Sequence, residues 1–326
     1  MSTGSPDVFV IGAGVTGLTT ALVLLEAGLS VTNYSAEPPH RTTSAAAGAL
    51  WGAHLVGADE RVGRWGIQTL NRFRELAADS ATGVRELNGL AALLGNHADP
   101  PEYAAGLHGL TAADPATLPA GYGTGWRYRA PVITMAAYLD YLVDRLIAGG
   151  GLLQIGRPLR DLADASAQSA APVIVNCAGY GAKTLVADAA LTAVRGQVVV
   201  VANPGLTEFF VGDRNLPREI TYMFPHGETA LLGGTEVEGD MNTEPDPETA
   251  AHILRCCAEV EPRLADVPVL AHRVGLRPVR PQVRLEREAL TGDRHVVHNY
   301  GHGGAGVTLS WGCAMSVRDE VRALLG

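Results

Sequence analysis

The stretch Asp7-Val-Phe-Val-Ile11-Gly12-Ala13-Gly14-Val15-Thr16-Gly17-Leu18 decides how this chain begins to fold. Asp7 to Ile11 is a short β-branched run, and the three glycines follow it at once, ahead of a helical stretch from Leu18 to Glu26. This is strand, tight turn, helix. Gly12 allows the turn, Gly14 lets backbone approach a pyrophosphate, and Gly17 lets the helix pack on the strand, while the helix N-terminus offers free N–H groups to phosphate. Gly28 stops the helix, and Ser30 to Tyr34 reads as a second strand. A bound dinucleotide is therefore expected, with Ala13, Val15 and Thr16 beside the phosphates. An acidic residue normally closes the second strand on a ribose hydroxyl, and Glu37 is the nearest candidate. Ahead of Pro38-Pro39 it reads equally well as a solvated loop carboxylate.

Outward from this start, composition narrows the class of protein. A chain of 326 residues with 47% hydrophobic and 18% charged residues can bury two cores and matches a packed enzyme, not a disordered segment. A net charge of −9 with scattered Lys and Arg gives no phosphate-tracking surface, so nucleic acid is not an expected partner. The cysteines at 177, 256, 257 and 313 have neither metal-ligand spacing nor the density of a disulfide scaffold, which points to a cytoplasmic protein with reduced thiols and no metal. Val8 to Leu25 lacks charge and could pass for a membrane span, but its glycines and its flanks argue against a span or a signal peptide.

Four further segments, in order along the chain, resemble the FAD-dependent D-amino-acid oxidase family. Arg41-Thr42-Thr43-Ser44 leading through Gly48, Ala49 and Leu50 to Trp51 is similar to the family's second FAD loop. Gly121 to Trp126, Val173 to Gly179 and Arg195-Gly196-Gln197 match its middle landmarks. Gly275-Leu276-Arg277-Pro278-Val279-Arg280-Pro281 and His298-Asn299-Tyr300-Gly301-His302-Gly303-Gly304-Ala305-Gly306-Val307-Thr308 resemble its two C-terminal signatures.

The resemblance implies an α/β fold in which a Rossmann-like FAD-binding domain (1–52, 131–192 and 271–326) is interleaved with a mixed-sheet substrate-binding domain (53–130 and 193–270). It implies FAD as cofactor, held by the first glycine loop, by Thr42, Thr43 and Ser44, by Gly48 to Leu50, and by Gly303, Gly304, Gly306, Val307 and Thr308, the last bonding a flavin carbonyl. Short hydroxyls suit a pyrophosphate loop, and a helix N-terminus aimed at the flavin would stabilise negative charge on the reduced ring.

The implied substrate is a D-amino acid. Its carboxylate would sit on Arg277 and Tyr222 and its amine on the Gly304 carbonyl, while the α-hydride passes to flavin N5. The products are an imino acid, hydrolysed to keto acid and ammonia, and hydrogen peroxide from oxygen. A planar guanidinium suits a carboxylate because it forms two parallel bonds. Three arginines compete for that role, and Arg280 and Arg284 are expected instead to pair with carboxylates such as Glu286. Tyr222 could also be an ordinary strand tyrosine. His302 is expected to support its loop, not to act as a base.

The substrate pocket departs from the family pattern. After Trp51 the family continues with a polar residue, a proline and a tyrosine, where this chain has Gly52-Ala53-His54. Arg218 stands where the D-aspartate oxidase branch carries a lid arginine, yet Glu236 replaces that branch's second arginine and would repel an acidic side chain. Neutral or basic side chains are favoured, with Glu236 itself expected to be solvated. Open alternatives are a D-aspartate oxidase, an amine oxidase of the glycine or sarcosine type, a flavin dehydrogenase that passes electrons to a carrier, and a non-catalytic flavin-binding relative. Expected partners are the amino acid and oxygen, with no membrane; a homodimer is an open expectation.

Overall fold

Val8–Ile11 (β1) sends alternate side chains to opposite faces: Val8 and Val10 join one apolar core, Phe9 and Ile11 another. A strand buried on both faces belongs at the centre of a parallel sheet covered by helices on each side. The computed structural model describes residues 5–52, 54–57, 59–95, 99–100, 102–213 and 219–326.

After β1 come α1 (Val15–Glu26), β2 (Val31–Ser35), α2 (Arg61–Leu76), β3 (Val84–Leu93), β4 (His108–Ala112), β5 (Thr124–Ile133), α3 (Met135–Ala148), β6 (Leu152–Ile155) and α4 (Leu162–Gln168). The chain continues through β7 (Val173–Asn176), α5 (Ala182–Leu185), β8 (Thr192–Ala202), β9 (Phe209–Asp213), β10 (Glu219–His226), β11 (Thr229–Thr235), β12 (Val237–Glu238) and α6 (Pro247–Val260). It ends with β13 (Val269–Ala289), β14 (His295–His302) and α7 (Gly306–Leu325). The glycine-loop helix starts three residues earlier than the sequence suggests, at Val15, and Gly28 ends it in a left-handed conformation with φ +89°.

One sheet runs through the described residues in the order β4-β5-β3-β9-β10-β11-β8-β13-β14-β7-β1-β2-β6, with β12 beside β8. From β14 to β6 it is parallel. Leu22 of α1, Leu142 of α3 and Val317 of α7 pack with Val8 and Val10 on one face, while Ala165 of α4 and Leu185 of α5 cover Phe9 and Ile11 on the other. This is the doubly wound arrangement. From β4 to β13 the sheet is mixed: β3 lies parallel to β9, and the remaining pairs are antiparallel. Ile253 and Cys257 of α6 pack there with Val199, Val201 and Leu232.

β13 belongs to both parts. Its first half pairs with β8 from Val269 to Val279, and its second half pairs with β14 from Arg284 to Ala289. The register to β14 shifts between Val279 and Arg284, around Pro281, a residue with no N–H to give to a ladder. Arg277 lies before this shift, Arg280 within it and Arg284 at its end. No helix among the described residues is long and apolar enough to cross a membrane.

Candidate active site

A cavity of about 550 Å³ runs from the β1–α1 turn to the start of α7 and into the face formed by β8, β10 and β13. At the first end its walls are backbone. A Cβ on Gly12 would lie 2.4 Å from the Cys177 carbonyl oxygen, and Gly12 holds φ at +107°, so no other residue fits the turn. A Cβ on Gly17 would lie 1.9 Å from the Gly12 carbonyl oxygen. Gly17 thus packs α1 onto the turn, whereas Gly12, Ala13, Gly14, Val15 and Thr16 line the cavity. Asn33 in β2 fixes the turn by donating to the Gly12 carbonyl at 2.8 Å.

Thr42, Thr43 and Ser44 also line the cavity. The Val15 N–H donates to Ser44 Oγ at 2.9 Å, which places that hydroxyl at the mouth of α1; Thr42 donates to the Pro39 carbonyl, and Thr43 to the Leu276 carbonyl of β13. Glu37 is exposed at the cavity rim beside Tyr34 and Ser35. Gly48, Ala49 and Leu50 form the next wall, and a Cβ on Gly48 would press to 2.8 Å from the Phe224 ring.

The far wall is the loop into α7. Gly303, Gly304, Gly306, Val307 and Thr308 all line the cavity. The helix begins without a side-chain cap, so its first N–H groups have no intrahelical partner. The Thr308 hydroxyl donates to the Gly52 carbonyl at 2.8 Å and receives the Gly52 N–H at 3.2 Å. Its proton is thereby committed, and the backbone N–H groups are the donors left facing the cavity. Two helix N-termini, a hydroxyl-bearing loop and glycines whose Cβ atoms would fill the cradle suit a dinucleotide's pyrophosphate and its electron-accepting ring.

At the other end the walls are side chains. Arg277, in the first half of β13, lies over β8: a Cβ on Gly196 would sit 2.4 Å from its Nη1 and 2.6 Å from its Cζ. Nη1 donates to the Thr235 carbonyl at 2.9 Å, and among the described residues no carboxylate ion-pairs with this guanidinium. Its neighbours across the register shift are satisfied. Arg280 bonds Asp188 at 2.9 Å; Arg284 bonds Glu286 at 2.7 Å, Glu288, and the Tyr300 hydroxyl at 2.8 Å, and Tyr300 itself donates to Asp188 at 2.7 Å. Of the three competing arginines, Arg277 is the one that lines the cavity.

Tyr222 in β10 stacks on Phe224 at 4.7 Å and rests on Gly233 and Gly234, where a Cβ would come within 2.2 and 2.4 Å of its ring. Burial raises its phenol pKa against the pull of Arg277, so the hydroxyl is a neutral donor. His302 is buried, bonded to Asn299 at 3.1 Å, and pushed down by burial to a pKa of about 4. It is neutral and lines the cavity.

Glu236 is not the solvated carboxylate expected. Its side chain is 19% exposed and is held by Nε2 of His54, whose own side chain is 37% exposed. Burial alone would raise the Glu236 pKa, but the hydrogen bond and charge of His54, with Arg277 beyond, hold it below the usual carboxylate range. The His54 ring packs on the glycine loop, its Cδ2 2.6 Å from where a Gly304 Cβ would be. Arg218 lies outside the described residues.

Gly196 and Tyr103 are among the lining residues to which the sequence reading gave no role. Gly196 is small because Arg277 lies on it; its place in Arg195-Gly196-Gln197 was the available signal. Tyr103, near Gly52 and 3.5 Å from the Tyr128 hydroxyl, walls the space left by the altered run after Trp51, and nothing around it in sequence marks it.

The fold and the two-ended cavity define a flavin-linked oxidoreductase. Residues 7–320 match the family described as DAO: FAD dependent oxidoreductase, and the chain belongs to that family, with FAD as its cofactor. It is 47% identical to a D-amino-acid oxidase of Rubrobacter xylanophilus over 97% of this chain and 95% of that one. It is also 47% identical to a D-amino-acid oxidase of Streptomyces coelicolor over 94% of each. Among solved structures, glycine oxidase from Geobacillus kaustophilus superposes with a TM-score of 0.81 over 98% of this chain and 95% of that one, at 18% identity, a likeness of fold.

Proposed function

We propose that the protein oxidises D-amino acids to imino acids, with oxygen as the electron acceptor, using a cofactor unit of residues 1–52, 131–192 and 271–326 and a substrate unit from the rest. The observation that carries this reading is Arg277, a guanidinium with no carboxylate partner among the described residues, facing the same cavity as both cofactor loops. Leaving such a cation without an anion is costly, and a bound α-carboxylate supplies one through two parallel bonds. Tyr222, neutral and adjacent, adds a third.

Bound FAD supplies the two-electron acceptor that takes the α-hydride. The chain's part is orientation: Arg277 and Tyr222 fix the carboxylate, the Gly304 carbonyl accepts a hydrogen bond from the amine, and the α-carbon is left toward the Gly48–Leu50 wall and the start of α7. The α7 N-terminus then favours negative charge gathering beside it. The imino acid hydrolyses in water to keto acid and ammonia, and oxygen leaves as hydrogen peroxide. Glu236 near the clamp disfavours a second carboxylate on the substrate, which points to neutral or basic side chains.

The test is anaerobic addition of D-amino acids, L-amino acids and glycine to the yellow protein. Bleaching by D-acids, with peroxide on readmitting air, is expected. Bleaching by glycine or L-acids alone overturns the reading, and D-acid bleaching without peroxide moves the electrons to a carrier.

A further inference from the structure

Among the described residues Gly304 neither gives nor takes a hydrogen bond, so packing decides where its carbonyl, the acceptor read for the amine, is aimed. Its neighbours are tied down. The Gly303 N–H donates to the Pro278 carbonyl of β13 at 2.8 Å, and the Ala305 N–H to the His302 carbonyl at 3.0 Å. What lies over Gly304 is the chain after Gly52. A Cβ on Gly303 would overlap the Leu55 carbonyl oxygen, and one on Gly304 would meet His54 Cδ2 at 2.6 Å and the His54 carbonyl oxygen at 3.0 Å. His54 and Leu55 thus form a strap across both glycines.

The ends of the strap are held through backbone and its middle through one side chain. Gly52 is bonded to the Thr308 hydroxyl by both its N–H and its carbonyl, and a Cβ on Gly57 would overlap the Pro281 carbonyl oxygen. Between these ends Leu55 holds φ at +48°, a left-handed conformation that a residue with a Cβ keeps only where its surroundings impose it. Among the described residues the one side-chain bond from His54 to Gly57 is that of His54 Nε2 to Glu236, the residue after β11. The ring turns its carbon edge to Gly304 and this nitrogen to the carboxylate, so the bond fixes how the ring leans on the glycine loop.

Resting on the D-amino-acid reading above, we propose that the His54–Glu236 contact is a latch that holds the strap on Gly303 and Gly304 and thereby aims the Gly304 carbonyl at the substrate amine. With the carboxylate on Arg277 and Tyr222, the amine's partner decides where the α-hydrogen points, and a misplacement of about 1 Å can cost roughly 10²-fold in rate. His54 and Glu236 are then positioning residues that act through Gly304. The role asks no proton transfer of either.

The experiment makes two measurements on the FAD-loaded wild type, Glu236→Ala and Glu236→Gln. One is the limiting rate of anaerobic flavin reduction by the best D-amino acid. The other is the Kd, read from the shift of the flavin bands, for the carboxylic acid that lacks that substrate's amine, propionate in the case of D-alanine. Both variants lose the charge beside Arg277, but only glutamine keeps an oxygen that can accept from Nε2. Glu236→Ala is expected to slow reduction between about tenfold and 10²-fold, with no weaker binding of the amine-free acid. Glu236→Gln should recover most of that loss. A wild-type rate in Glu236→Ala, equal losses in the two variants, or an amine-free acid that weakens in step with the rate overturns the proposal. If Glu236→Ala does not hold FAD, His54→Ala is held to the same pair of measurements, slower reduction with undiminished acid binding. A wild type that no D-amino acid reduces overturns the underlying reading instead, and so separates the two failures.

Discussion

At the Gly12–Gly17 end of the cavity the walls are backbone, and the packing excludes even a methyl group: a Cβ at Gly12 or Gly17 would overlap a carbonyl oxygen. At the Arg277 end the polar groups belong mostly to side chains, gathered from β10, β13, the residue after β11 and the segment after Trp51. A site made of backbone is fixed by local spacing and admits little change. A site made of side chains depends on how distant strands pair, and one residue can alter what it accepts without disturbing the fold.

This contrast predicts which property each substitution should reach. Arg277→Met removes the clamp and should lower kcat/KM for D-amino acids by about 10³-fold, within the 2–5 kcal/mol typical of truncating a buried charge pair. The visible flavin spectrum should be unchanged, and loss of FAD with activity would mean that the two ends are not separate. Gly14→Val works in the opposite sense. Its Cβ would meet Ser44 Oγ at 2.9 Å, so FAD affinity, followed by fluorescence titration, should fall at least about tenfold, or 1.4 kcal/mol. kcat at saturating FAD should stay within a few-fold.

Arg280→Met tests the satisfied part of β13. It removes the guanidinium bonded to buried Asp188, leaving the Tyr300 hydroxyl, the Ala190 N–H and the more distant Arg284, and should cost about 1–3 kcal/mol of stability, read as a lower urea midpoint with nearly unchanged kcat/KM. The smallest effect concerns pH. His302 and His226, both driven by burial to a pKa of about 4, stay neutral in the fold but protonate near pH 6.5 when unfolded. Between those values the unfolded chain binds more protons, so stability should fall as pH drops from 6.5 toward 4, by up to about 1.4 kcal/mol per unit for each group, and level off below. His302→Gln should flatten that slope in urea titrations.

The backbone end was legible in the sequence. Strand, three glycines and helix follow one another within a few residues, and each glycine's task is set by its immediate neighbours. Arg277, Tyr222 and Gly304 could be placed through a family resemblance, because nothing local separates Arg277 from Arg280 or Arg284. What separates them is where each side chain ends: Arg277 lines the cavity, while Arg280 and Arg284 meet Asp188, Glu286 and Glu288. The His54–Glu236 contact was not legible, since it joins two distant segments through pairings that neither encodes. The expectation that Glu236 is solvated failed for that reason.

β13 has a consequence for cooperativity. Its 21 residues are stitched to β8 on one stretch and to β14 on the other, so the mixed and parallel parts of the sheet share a seam, not a linker. A hinge between them would have to tear a central ladder. Hydrogen exchange along Val269–Ala289 should therefore report a single opening unit, and a chimera that swaps the substrate half must be spliced inside a strand, where a one-residue error in register would turn Arg277 away from the cavity.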